Sequence, residues 1–529
     1  MSDQPDGHLR YAVVIPTLGR PSLDRVLRSL DAQTGWAAPA EVIVVDDRAH
    51  GPATKPLQPV WDAQPDQRFL VLRSYGRGPA AARNVGWRTA TADWIAFLDD
   101  DVELLPDWAV ALAEDLQACG PDVAGTQGRI HVPLPRDRRP TDWERGTAGL
   151  QDASWATADM AYRRSVLAEA GGFDERFPRA YREDADLAIR VQRAGWRLVR
   201  GQRVTEHPVR PAHDWVSLRV QRGNADDVLM RALHGPRWRT LGGVPSGRLP
   251  WHVATVAAGV AAAGAAATQR PRPGLLAASV WGALTAEFIV RRLRPGPRPG
   301  EQMWWPETRR MVLTSIAIPL AAVVHRVRAH WRWRGSVEAW PLPPKAVLFD
   351  RDGTLVHDVP YNGNPAAVRL VPGAQAAVRA VRDAGLRTGV ISNQSGIARG
   401  LITHADAEAV NQEIDQQLGG VDTWQICPHG DDDRCACRKP APLMIQRAAA
   451  ELGVMPQECV VIGDIGTDVA AAQAAGARCV LVPTRQTRSD EIADAPLIAA
   501  DLASAVQIAL KPPAEHRQHS QPAIARTWR

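Results

Sequence analysis

Twice along this chain, short apolar runs alternate with helix-length stretches, and several of the runs stop on aspartate. Between positions 11 and 210 the runs are YAVVIPT, EVIVVDD, RFLVLRS and DWIAFLDDD, with SLDRVLRSLDAQ and PAAARNVGWRTA between them. Between 345 and 510 they are KAVLFD, RTGVIS, ECVVIGD and RCVLVPT, with AQAAVRAVRDAG and DVAAAQAAG as helices. Strand and helix in alternation predict an α/β sheet with mostly parallel strands. The two stretches end their strands in different motifs, so the second is an independent α/β domain and not a repeat of the first. A chain of 529 residues, 45% of them hydrophobic, has the length and the apolar content for two such cores.

The segment between them has another composition. Leu249 to Gln269 lacks Asp, Glu, Lys and Arg but is mostly alanine; Gly274 to Val290 is more apolar and carries one charge, Glu287; Met311 to Val324 spans fourteen residues and holds Pro319. A bilayer crossing needs about 20 apolar residues, with roughly 17 tolerated. The first two segments therefore suit a hairpin joined by RPRP, either inserted in a bilayer or lying on its surface through arginines; a helical linker in water is the plainer alternative. Two spans would return the chain to the side it left. The expected organisation is a disordered 1–10, a first domain over 11–230, a basic helical linker over 231–340, a second domain over 341–511 and a disordered tail over 512–529.

The net charge is +5, and arginines crowd 231–335 and the tail after Lys511. Such a lean meets nucleic acid, an anionic membrane or water. No nucleic-acid-binding motif accompanies it, so no nucleic-acid partner is expected. The first ten residues lack an apolar core and do not read as a signal peptide. The expected location is cytoplasmic, with membrane association on the cytoplasmic face. In that reducing compartment Cys119, Cys459 and Cys479 are expected as thiols in cores.

VLFDRDGTLV delivers Asp350 and Asp352 at the C-terminal end of a strand, where open α/β sheets bind ligands. Gly353 lets the chain turn away. One carboxylate can attack phosphorus while the other handles the leaving-group proton. A cation must then offset the charge between nucleophile and phosphate. Ser392 in VISNQSG offers a hydroxyl to a phosphate oxygen, Lys439 offers a positive charge, and Asp464 and Asp468 in VIGDIGTD are hard ligands suited to Mg²⁺. Cys427, His429, Cys435 and Cys437 form C-x-H-x5-C-x-C within eleven positions, the donor set of a closed, structural Zn²⁺ site. Arg438 and Lys439 follow its last ligand, so the metal would fix where both cations point. Asp431 to Asp433 inside the loop are expected to face water.

This ordered set, over about 345–485, resembles the haloacid dehalogenase-like (HAD-like) phosphatases. The resemblance implies a Rossmannoid fold, an aspartyl-phosphate on Asp350, and Asp352 as acid and then base. It also implies Mg²⁺ held by Asp350, Asp352 through its carbonyl, and Asp464. DRDGT, NQSGIARG and CPH…CxCRKP are similar to the heptose 1,7-bisphosphate phosphatase and histidinol-phosphatase branch. That likeness implies substrate contacts from Asp358 to Tyr361, from Ser392 and Asn393 through Ser395, and from Arg399 and Arg438. One departure is Ile465, where the heptose enzymes carry a polar or basic residue. Short spacers leave no room for a large cap, so the substrate is expected to be a small, doubly charged sugar phosphate.

In the first domain, AVVIPTLGR…EVIVVDD, GPAAARNVGW and FLDDDVELLPDW resemble the family 2, GT-A glycosyltransferases over about 11–210. The resemblance implies a nucleotide-diphospho-sugar donor and Mg²⁺ or Mn²⁺ on Asp99 and Asp101, with His207 as a candidate further ligand. It implies nucleobase and ribose contacts from Asp46 and Asp47, and donor contacts from Arg83 and Asn84. Asp184 in REDADLAIR is the implied base that deprotonates the acceptor hydroxyl for inverting transfer, with Glu183 as the alternative. A helix start favoured by its dipole is the structural reading of Glu183, Asp184 and Asp186. The acceptor, glycan or lipid, is not specified. The expected whole is a two-enzyme fusion. Its rivals are histidinol-phosphate hydrolysis and a membrane-tethered carbohydrate-binding scaffold, and the latter predicts broken carboxylate sets.

Overall fold

The computed structural model describes residues 9–33, 37–49, 55–59, 61, 67–433 and 435–511. The tail over 512–529 and most of the N-terminal 1–10 lie outside the described residues.

Eight strands form the N-terminal sheet: β1 (Tyr11–Thr17), β2 (Glu41–Asp46), β3 (Arg68–Arg73), β4 (Trp94–Leu98), β5 (Glu103–Leu104), β6 (Val123–His131), β7 (Asp159–Arg163) and β8 (Arg197–Glu206). Their order is β3-β2-β1-β4-β7-β6-β8-β5. The apolar runs make the parallel half, β3 to β4. Beyond it β7 runs antiparallel to β4 and β6, and β5 antiparallel to β8, so the sheet is mixed. The far strands carry polar residues into the interior, which hid them from a search for apolar runs. Arg203 of β8 is 1% exposed and bonds Asp159 at 2.7 Å and Asp115 at 3.0 Å. The Pro79–Thr89 helix lies against β1 so closely that a Cβ on Gly86 would collide with Val14.

The C-terminal sheet is all parallel: β9 (Ala346–Asp350), β10 (Arg387–Asn393), β11 (Thr423–Cys427), β12 (Cys459–Gly463) and β13 (Arg478–Leu481), in the order β11-β10-β9-β12-β13. Apolar clusters cover both faces of central β9. Continuous burial on two faces is what permits its unbroken apolar run. Every one of these strands points its C-terminal end at the same edge, and that edge carries the carboxylates.

Three helices between the domains are long and apolar enough to cross a membrane by length and composition: Leu249–Ala267, Pro271–Leu293 and Trp304–Arg332. The first two form an antiparallel hairpin. His252 packs on Phe288, Gly259 meets Trp281 and Gly274 meets Ala265. The turn is tighter than a four-residue RPRP link, because the second helix already starts at Pro271. The third extends well beyond Met311 to Val324 and accommodates Pro319 internally. Ion pairs tie this helix to the first domain at two points, Arg310 to Asp214 at 2.9 Å and Arg326 to Asp227 at 3.6 Å. Arg292, at the hairpin base, reaches Asp142 at 2.7 Å. Several of the basic residues of 231–335 are thus matched to carboxylates of the first domain.

The α/β domains touch directly. Arg77 donates to Glu175 at 2.7 Å and to the Gln473 carbonyl at 3.0 Å, and Gln457 donates to Glu175 at 2.9 Å. At Gly476, φ is +85° and a Cβ would run into Arg77, so only glycine lets the two surfaces meet there.

Candidate active sites

In the C-terminal domain, β9 ends on Asp350 and β12 is followed by Asp464, while Asp468 lies in the first turn of the Gly466–Ala475 helix. Parallel pairing of β9 with β12 brings these ends together, and ligand oxygens of the three carboxylates lie within 4.8 Å of one another. Lys439 Nζ donates to Asp350 and, at 2.6 Å, to Asp468. Burial alone would lower the Lys439 pKa, but the two carboxylates outweigh it and hold the ammonium well above its ordinary value. One ammonium cannot balance three buried carboxylates. Burial, the largest cause, pushes Asp350 well above the usual range and Asp464 to about 6, with Asp468 adding to both. Asp464 Oδ1 is buried without a hydrogen bond among the described residues. A divalent cation would supply the missing charge, so these residues fit Mg²⁺.

The Asp352 carboxylate lies outside that cluster. Arg351 holds it at 2.9 Å, and Gln394 donates to it at 2.8 Å and to Ser392 Oγ at 2.9 Å. Gly353 sets this arrangement: φ is +82°, and a Cβ would collide with Asp464. Asn393 clamps the Lys439 backbone from both sides, accepting from its N–H at 3.0 Å and donating to its carbonyl at 3.2 Å. Outside this floor, Arg399 donates to the Tyr361 hydroxyl at 2.6 Å, Arg438 pairs with Asp431 at 2.7 Å, and Asp358 accepts from Gln486 at 3.2 Å.

Cys427, at the end of β11, meets Cys435, Cys437 and His429. Sulfur–sulfur distances are 3.3 to 3.6 Å, and His429 Nδ1 lies 3.3 Å from Cys437 and 3.6 Å from Cys427. A tetrahedral Zn²⁺ with bonds of about 2.3 Å to sulfur has sulfur–sulfur edges of roughly 3.8 Å. Disulfide sulfurs would stand at about 2.05 Å, and all four donors converge on one point. The set fits zinc. The Arg438 N–H donates to Cys435 Sγ at 3.3 Å, which ties the basic pair to the cluster. Asp431 to Asp433 are exposed, although Asp431 also serves Arg438.

In the N-terminal domain, Asp99, Asp101 and His207 bring ligand atoms within 4.8 Å of one another. Asp100 points the other way, into Thr17 at 2.6 Å and Arg20 at 2.7 Å, so the triplet alternates between site and scaffold. Burial, then Asp99, pushes the Asp101 pKa up. His207 Nδ1 is buried without a hydrogen-bond partner among the described residues. These donors fit Mg²⁺ or Mn²⁺. Arg83, 1% exposed, bridges Asp99 at 2.9 Å and Glu183 at 2.8 Å. Glu183 is thereby locked, its pKa pushed to about 8 by burial and by Asp184. Asp184 is half-buried and, among the described residues, makes no ion pair and accepts only the Ala185 N–H, at 2.7 Å. Burial raises its pKa as well. Asp186 is structural, held by His234 and Arg190 at 2.7 Å each.

Asp46 is paired bidentately by Arg48, and Asp47 accepts from Ser74 at 2.6 Å and from the Gly78 N–H at 3.0 Å. Asn84 is fully buried, donating to the Phe173 carbonyl and Glu175 and accepting from Trp87 and the Phe173 N–H. Asp47 and Asn84 are thus committed to their own chain. One group escaped the sequence reading: Arg210, whose Nε is 2.7 Å from Asp101, had no local signal. Gln394 fell within the Ser392 to Ser395 contacts, but its bond to Asp352 was not foreseen.

The glycosyl transferase family 2 model matches residues 12–186, and the HAD-hydrolase-like model matches residues 436–506. D-glycero-beta-D-manno-heptose-1,7-bisphosphate 7-phosphatases are among the similar proteins. That of Rhodopseudomonas palustris is 39% identical over 142 residues, 25% of this chain and 79% of its own length. That of Pseudomonas putida is 34% identical over 173 residues, 30% of this chain and 96% of its own. A D-glycero-alpha-D-manno-heptose-1,7-bisphosphate 7-phosphatase of Mycobacterium tuberculosis is 30% identical over 159 residues, 28% of this chain and 84% of its own.

Gly353→Ala is expected to lower phosphate release about 5- to 150-fold, since the left-handed backbone and the displaced Asp464 together cost about 1–3 kcal/mol at the site. Glycosyl transfer by the same preparation should be unaffected. Wild-type phosphate release from a folded Gly353→Ala chain would show that Asp464 need not hold its place.

Proposed function

Because the C-terminal domain of this chain belongs to the heptose-bisphosphate phosphatases among HAD-like hydrolases, and the N-terminal domain to glycosyl transferase family 2, we propose that one protein performs both reactions. The C-terminal centre hydrolyses a small sugar phosphate, D-glycero-D-manno-heptose 1,7-bisphosphate in the first instance. The observation that carries this reading is the convergence of Asp350, Asp464 and Asp468 around Lys439, next to a separately held Asp352. Asp350 attacks phosphorus and becomes an aspartyl-phosphate. Asp352, oriented by Arg351 and Gln394, gives a proton to the leaving oxygen and then takes one from water. Lys439 and Ser392 balance and position the phosphoryl oxygens. Mg²⁺ on Asp350, Asp464 and the Asp352 carbonyl supplies positive charge to the site when bound. Arg399, Arg438, Tyr361, Asp358 and Asn393 read the rest of the substrate.

The N-terminal centre transfers a sugar from a nucleotide-diphospho-sugar with inversion. Asp184 is the base, because Glu183 is held by Arg83. Asp99, Asp101 and His207 hold Mg²⁺ or Mn²⁺, which supplies charge beside the departing diphosphate. Arg83 keeps Asp99 in place, and Asp46, released from Arg48, takes the nucleoside. The acceptor is a glycan or a lipid.

Zn²⁺ in the Cys427, His429, Cys435, Cys437 cluster shapes the loop that delivers Arg438 and Lys439. The helical hairpin is the membrane contact. Val260, Leu275 and Leu276 are each at least 67% exposed on it, whereas the third long helix is tied along the transferase. Both centres then work on the cytoplasmic side.

A substrate panel with the purified full chain should show faster phosphate release from the heptose bisphosphate than from histidinol phosphate; the reverse order would reject the substrate assignment. Asp350→Asn should abolish that release, by about a thousandfold or more, and spare transfer. Asp184→Asn should cut transfer about 10²–10⁴-fold and spare phosphate release. Loss of both activities in either folded variant would refute two independent centres. Elemental analysis should find one zinc per chain, reduced in Cys435→Ser together with substrate affinity; a zinc-free protein of full activity would remove the structural role. Deleting 249–293 should abolish flotation with anionic vesicles, and undiminished flotation would exclude the hairpin as the contact.

A further inference from the structure

The junction of the two α/β domains forms a half-open cavity of about 760 Å³ that none of the residues assigned to either centre lines. Its walls come from both domains: the end of the Pro79–Thr89 helix, the Arg164–Ala170 helix and the segment Gly476 to Cys479. Five guanidinium groups line it, those of Arg10, Arg88, Arg163, Arg164 and Arg478, against one carboxylate, Asp93.

Two of the five spend their donors on the chain, Arg163 on the carbonyls of Val123, Cys119 and Gly120 and Arg478 on those of Ala509 and Lys511, and no carboxylate pairs with either among the described residues. Arg10 and Arg164 make no side-chain hydrogen bond or ion pair among the described residues, and the ion pair of Arg88 is a long one, 3.8 Å to Glu175. Burial and then Arg88 push Arg478 down to about 10. Three indoles share the walls. Trp87, Trp94 and Trp340 are each at most 7% exposed, with Arg163 stacked over Trp94 at 4.4 Å and Arg88 over Trp87 at 5.5 Å. Arg10 and Arg164, with Arg88 beside them, leave guanidinium donors to spare, and such donors select phosphate, whose oxygens match them in pairs. The buried indoles give the cavity an apolar wall for the carbon part of such an ester. The volume lies in the range of small-molecule sites, about 300–1,000 Å³.

We propose that this cavity is a third ligand site, taking a phosphate ester and contacting both domains at once. A sugar phosphate and a nucleotide share that chemistry.

Hydrogen–deuterium exchange on the full chain tests it, in EDTA to silence the cation-dependent centres, with glucose 6-phosphate in one arm and ADP in the other. Millimolar ligand should protect 163–168 and 476–479 together. Protection by glucose 6-phosphate alone identifies a sugar phosphate, by ADP alone a nucleotide, and by both the shared phosphate ester. Ser165 and Ala168 are exposed residues on the cavity wall. Ser165→Glu, which adds a negative charge there, and Ala168→Trp, which fills the space, should each raise the half-saturating concentration at least tenfold without changing phosphate release. No protection by either compound at 10 mM, or protection unaltered in both variants, overturns the proposal.

Discussion

The ammonium group of Lys439, shut away from water between Asp350 and Asp468, is the contact on which the C-terminal half depends. A parallel sheet collects the ends of its strands on one edge, so carboxylates placed there are forced together. Left alone they would repel one another in a medium that screens poorly. Lys439 relieves part of that repulsion, and it arrives from outside the sheet, on a loop pinned by Asn393 on one side and by the Cys427, Cys435, Cys437 and His429 cluster on the other. Sheet, loop and cluster therefore stand or fall together around one charge. The N-terminal half uses the same device once more. Arg83, equally buried, sits between Asp99 and Glu183 and holds two acidic segments in place with one guanidinium group.

What could be read from the sequence was what is local. An apolar run ending in aspartate announces both the strand and the edge it serves, so Asp99, Asp101, Asp350 and Asp464 were legible, as was the Cys/His spacing. β6 and β8 were not, because Arg203 and Gln127 occupy interior positions made tolerable by partners far along the chain, among them Asp159, Asp115 and the Ala153 carbonyl. The choice between Glu183 and Asp184 was open for the same reason. It turns on Arg83, a hundred positions away. Asp47 and Asn84 looked like donor contacts from their motifs, and only the packed chain shows their hydrogen bonds spent on Gly78, Ser74 and the 173–175 segment. The arginines of the central region carried no mark of their partners, Asp142, Asp214 and Asp227 of the first domain.

The contact between the domains is made of specific groups. Arg77 stands beside Gly78, whose N–H is bound by Asp47, and the same guanidinium reaches the helix that starts at the Asp464 side of the other centre. A rigid helix runs from that centre to the junction, and the residue just past its end, Gly476, has no side chain to hold the surfaces apart.

That junction, together with a continuous chain, fixes a stoichiometry. Every molecule carries one centre of each kind, so a cell cannot make more of one activity than of the other by making more protein. The ratio of the two fluxes has to be set by turnover and occupancy, and a change in abundance scales both at once.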